Sequence, residues 1–104
     1  MTVQLVYVTM GSLEEARRIG RALVEERLAA AVNIITGVTS IYRWHGAIHE
    51  ADEVVLVAKT RQERLGALTA RVREMHAYDC PGVVALPVVG GSEPYLRWIA
   101  AETG

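Results

Sequence analysis

The sequence predicts an α+β fold, a ferredoxin-like βαββαβ sandwich with one extra helix at its C-terminal end. Three observations predict it. Runs rich in β-branched residues alternate with helical stripes in the order β-α-β-β-α-β-α. The two central runs are long and are separated only by the turn WHGA, so they form a hairpin. The run VVLVA at 54–58 is apolar at every position instead of every second one. Side chains alternate across a strand, so both sheet faces are expected to be dry there. Two helices cover one face in this plan. The other face is expected to pack on another subunit, and the equally apolar run at 29–38 points the same way.

Each element has its own signal. VQLVYVT at 3–9 is a strand by composition. Ser12 is a good N-cap, and Glu15 three residues later completes a capping box. Ala16, Ile19, Gly20, Leu23 and Arg27 share one stripe, which predicts a helix over about 13–28. The strand at 29–43 is broken by Gly37, the mark of a bulge or bend. The chain returns over 47–60, polar first and apolar later. A second helix over 62–76 carries Leu65, Leu68, Val72 and Met75 on one side. Pro81 forces Cys80 out of helical geometry. GVVALPVV at 82–89 is the last strand, and Pro87 places it at a sheet edge. Pro94 falls in the first turn of the closing helix.

The chain has 104 residues, enough for a single domain spanning 1–104. Its net charge is −1 and its basic residues are scattered, so no nucleic-acid footprint is expected. Cys80 is the single cysteine, which fits a reducing compartment. No apolar run is long enough to span a membrane, and the first residues lack the basic start of a signal peptide. The expectation is a soluble cytoplasmic protein. There is no Phe; all six aromatics are Tyr or Trp, which carry a polar atom and suit pocket walls and interfaces.

The hairpin SIYRWHGAIHEADEVVLVAKTR holds two histidines, but metal-ligand spacing is absent from it. His45 and His49 would lie about 13 Å apart along one strand, too far to share an ion. His45 is expected at the turn and His49 opposite Tyr42. Glu50 and Asp52 project from one face, as protective charges on an exposed strand or as a loose bridge for a hard cation. Cys80, with His76 and Met75 nearby, offers the ligand types copper prefers, and also reads as a small apolar residue. Lys59 ends a dry strand and is expected to need a carboxylate, with Glu50, Glu53 and Glu102 the candidates. No nucleophile triad, P-loop or dinucleotide fingerprint is present.

RLAAAVNIITGVTSIYRWHGAIHEADEVVLVAKTR and HAYDCPGVVALPVVGGSEPYLRWI resemble the divalent-cation tolerance family CutA. The likeness covers about residues 3–100, and VNI, GVTSIYRW, AKTR, ALPV and YLRWI together make it specific. It implies a homotrimer with grooves between subunits, a link to divalent metals and to copper above all, and no enzyme activity. No obligatory cofactor follows; copper or another divalent cation is the ligand implied. The family's polar cluster maps onto Asn33, Tyr42, Trp44, Glu53, Lys59, His76, Tyr78 and Trp98, with His76, Cys80 and Glu53 the metal candidates. Ala31 stands where many relatives carry Cys. Ala77 replaces a usual Pro, which is expected to loosen the loop holding His76. A sulfur ligand would then come from Cys80, with Met75 or Met10. Two other readings stay open: a small-molecule sensor resembling the trimeric PII signalling proteins, and a structural trimer that anchors partner proteins.

Overall fold

The computed structural model describes residues 2–104. The elements follow the expected order. Strand β1 is Val3–Met10, helix α1 Leu13–Glu25, β2 Ala31–Trp44, β3 Ala47–Arg61, α2 Leu65–Met75, β4 Val83–Pro87 and α3 Glu93–Glu102. The four strands form one antiparallel sheet in the order β2-β3-β1-β4. This is the ferredoxin-like arrangement, and Pro87 lies in an edge strand, where its missing N–H breaks no inner ladder.

Half of the expected capping box forms: the Glu15 amide donates to Ser12 Oγ at 3.1 Å, while the Glu15 carboxylate reaches past Ser12 to accept the Gly11 amide. It stops three residues earlier than its apolar stripe suggests. Arg27 adopts φ +59, and the amides of Arg27 and Leu28 return to the carbonyls of Val24 and Leu23. That pair of bonds is a Schellman ending, with arginine in the position glycine usually takes. Helix α2 begins later than expected because Gln62–Arg64 form a 3₁₀ turn first. Strand β4 is shorter than the run 82–89 because proline ends its ladder, although the Val88 amide still reaches Val3 O at 2.9 Å.

Helices α1 and α2 cover one face. Their Ile19, Leu23, Leu68 and Val72 pack on Val6, Val8, Leu56 and Ala58 of the central strands, and all of these are fully buried. At roughly 1.5–3 kcal/mol for each large apolar side chain, this layer supplies most of the folding drive. The opposite face carries the odd-numbered residues of β1 and β3. Helix α3 covers only one end of it, with Ile99 against Val3 and Ala30. Its C-terminus is held by two cations: Arg61 and Arg64 both donate to Thr103 O, at 3.0 and 2.7 Å. Positive charge there also offsets the helix dipole. Much of the rest of this face is open: Val55 is buried, but Tyr7, Ile35, Val84 and Leu86 are 38%, 49%, 60% and 54% exposed.

The hairpin β2–β3 runs well beyond the helices. Trp44 pairs with Ala47, and His45 and Gly46 between them have φ +48 and +78. Positive φ at both central residues is what a two-residue type I′ turn needs. The expected bulge is present between Ile35 and Val38, where Gly37 takes φ +76.

Candidate functional site

Beyond the bulge, Ser40, Tyr42 and Trp44 project from the same face as Glu53, because Val38 pairs with Glu53 and alternation does the rest. Tyr42 stacks on its cross-strand partner His49 with centroids 5.5 Å apart. The loop between α2 and β4 folds over this part of the hairpin. Thr9, Ser40, Tyr42, Trp44, Glu53 and Tyr78 line the resulting hollow, with Asp79, Cys80 and Gly82 beside them. Its volume is about 640 Å³.

The loop is pinned from beneath. His76 caps α2 with its side chain fully buried, and its Nε2–H donates to the Thr9 carbonyl at 2.8 Å. Its Nδ1 accepts the Tyr78 amide at 3.0 Å, which fixes that tautomer. Glu15 holds the loop from the other side. Its Oε2 accepts the Ala77 amide at 2.8 Å, and its Oε1 accepts the Gly11 amide at 3.2 Å. A proline at 77 would have no amide to give, so Ala77 gains a tether rather than only losing stiffness.

Tyr78 closes the floor. Its hydroxyl donates to Glu53 Oε2 at 2.9 Å. Burial, then the hydrogen bond to Glu53 and that residue's charge, push the phenol up to about 12. Glu53 is itself only 9% exposed. Among the described residues this phenol is its one side-chain partner, and no Lys, Arg or His forms an ion pair with it.

Residues 4–102 match the family described as CutA1 divalent ion tolerance protein. The chain belongs to that family. It is 48% identical over 101 residues to the divalent-cation tolerance protein CutA of Thermus thermophilus, covering 97% of this chain and 98% of that protein. It is 43% identical to the chloroplastic CutA protein of Arabidopsis thaliana, spanning 95% of this chain but 54% of that protein. A solved Thermus thermophilus Cut A1 structure superposes with a TM-score of 0.96 at 47% identity, covering 98% and 99% of the two chains.

The family's polar cluster divides in this structure. Tyr42, Trp44, Glu53, Tyr78 and Cys80 share the hollow, and His76 stands behind it. Lys59 and Trp98 belong to the α3 end instead. Lys59 Nζ bonds Tyr95 Oη at 3.0 Å and lies 5.3 Å from that ring's centre; Tyr95 stacks on Trp98 at 5.5 Å. The expected carboxylate partner of Lys59 is therefore replaced by a phenol. Of the candidates, Glu53 holds Tyr78 and Glu102 pairs with Arg27. Asn33 is exposed on the bare face, paired in register with Val57.

Among the described residues, no group of three His, Cys, Asp or Glu side chains is placed to hold one ion. Both His76 nitrogens are engaged as the chain stands. Met10 is fully buried in the core and Met75 packs against it, so neither joins Cys80 in the hollow. Sequence reasoning missed Thr9, Ser40 and Asp79 as wall residues, and missed Glu15 as a tether of the loop. The capping box held a signal for Glu15: its carboxylate must turn back toward the helix start. The Ala77 contact, 62 residues away, had none.

Proposed function

We propose that this chain acts as a homotrimer in tolerance of divalent cations and binds such ions, copper included, with donors shared between subunits. Family membership supports the role. The open apolar residues support the assembly: Tyr7, Val84 and Leu86 stand exposed side by side on β1 and β4, and Ile35 is exposed on β2, on strands whose other face is core. One-sided antiparallel sheets normally turn polar residues to water. The number three comes from the family resemblance. Ion donors within one chain are Glu53, Asp79 and Cys80, which line the same hollow but are not placed to share one ion; completing a coordination shell takes water or donors from a neighbouring copy. His76 serves by positioning the loop, and would ligate only after giving up the Tyr78 amide. A reducing compartment such as the cytoplasm suits the exposed thiol of Cys80. Among the described residues no helix is long and apolar enough to cross a membrane.

Calorimetric titration of Cu(II) and Zn(II), at a concentration where light scattering has fixed the oligomer, tests this reading. Binding tighter than about 10 μM, roughly 7 kcal/mol, at a whole-number ratio to trimers and lost in Glu53→Gln or Cys80→Ala, is expected. Non-stoichiometric uptake, or a monomer at micromolar concentration, would contradict it.

A further inference from the structure

We propose that the hollow between the hairpin and the 76–82 loop binds a small organic cation, an ammonium-type group recognised by aromatic faces and the Glu53 carboxylate. The inference goes beyond metal binding and does not depend on it. Glu53 carries the argument. It is nine-tenths buried, yet among the described residues it has one side-chain hydrogen bond and no ion pair. An ionised carboxylate taken out of water without a cation is costly. Tyr78 occupies Oε2 at 2.9 Å, and Oε1 is left without a protein partner among the described residues and still open to the hollow. A ligand cation at Oε1 would replace the little water that still reaches this carboxylate.

The walls decide which kind of cation. Tyr42, Trp44 and Tyr78 present three aromatic rings, and Asp79 adds a second carboxylate, while no Lys, Arg or His lines the hollow. This setting repels phosphates and carboxylates. Rings attract large, weakly hydrated cations held over their faces. A hard divalent ion instead needs six or more oxygens or a retained water shell, and no three-donor cluster exists among the described residues. A volume of about 640 Å³ is far larger than one ion and falls in the range of small-molecule sites. The neutral hydroxyls of Thr9 and Ser40 would serve a polar tail on the ligand.

Only two tryptophans are present, so Trp98→Phe leaves Trp44, on the wall, as the sole tryptophan, read selectively by excitation at the red edge where tyrosine does not absorb. That variant is titrated in EDTA with choline and with its uncharged isostere dimethylbutanol, where carbon replaces nitrogen. Choline is expected to change Trp44 emission saturably, the isostere to bind at least about tenfold more weakly, and Glu53→Gln to remove most of that difference. Equal binding of the two probes, or no saturation with choline, overturns the proposal. Asp79→Asn, at an exposed residue, gives a second charge variant should Glu53→Gln fail to fold, and it too must weaken choline. A Trp44 response to Zn(II) without EDTA, but none to choline, would sink this proposal and leave the metal reading standing.

Discussion

The two faces of the sheet are built from the same strands and have opposite surroundings. On one face Val6, Val8, Leu56 and Ala58 are sealed beneath α1 and α2. On the other, Tyr7, Ile35, Val84 and Leu86 are nearly as apolar but stand in the open. Burial in the first case is complete within one chain. In the second it is not, and an apolar surface of this kind is rarely left to water, which is what favours the proposed assembly. Strand composition alone thus says how much surface must be dry, not which molecule dries it.

Substitutions on the two faces separate these roles. Leu56→Ala should have the largest effect on folding, about 2–5 kcal/mol, because Leu56 is fully buried in the helix-covered core; denaturant titration measures it. Ile35→Glu with Leu86→Glu should leave the single-chain core intact and abolish assembly, seen by light scattering as a fall to monomer mass. Persistence of the oligomer would place the interface elsewhere.

Two glycines sharpen the contrast between a packed and an open surface. A Cβ on Gly20 would lie 2.9 Å from Val32 Cγ2 and 3.2 Å from Leu56 Cδ1. Gly20→Ala should destabilise by about 1 kcal/mol, as overpacking outweighs the gain in helix propensity. A Cβ on Gly66 of α2 meets nothing within 4 Å. Gly66→Ala should stabilise by about 0.4–1 kcal/mol. Thermal melts of the pair should move in opposite directions.

The smallest effect concerns Tyr78. Its folded value of about 12 lies above the ordinary 10.0, so the fold favours the neutral phenol. That contribution is fully present below pH 10.0 and is lost as pH rises toward about 12. Tyr78→Phe should remove the late phenolate transition seen by ultraviolet absorbance and flatten the stability profile in that window.

Much of this architecture was legible from local pattern. The capping box at Ser12, the bulge at Gly37, the turn at His45–Gly46, the cross-strand pair Tyr42–His49 and the edge position of Pro87 all follow from short-range stereochemistry. The end of α1 did not, because its αL residue is Arg27 instead of a glycine. The partner of Lys59 did not, because Tyr95 lies 36 residues away on a helix whose docking no local signal specifies.

The same division holds for the site. The sequence by itself determined the strand and helix order, the doubly apolar β3 strand and the family, since periodicity, caps and motifs are properties of neighbouring residues. Tertiary structure alone decided that His76 is a buried brace, that Glu15 ties down the Ala77 loop, and that Glu53 faces an aromatic hollow without a cation. Those outcomes depend on which distant groups arrive to satisfy a buried polar atom, and chain spacing carries no record of that.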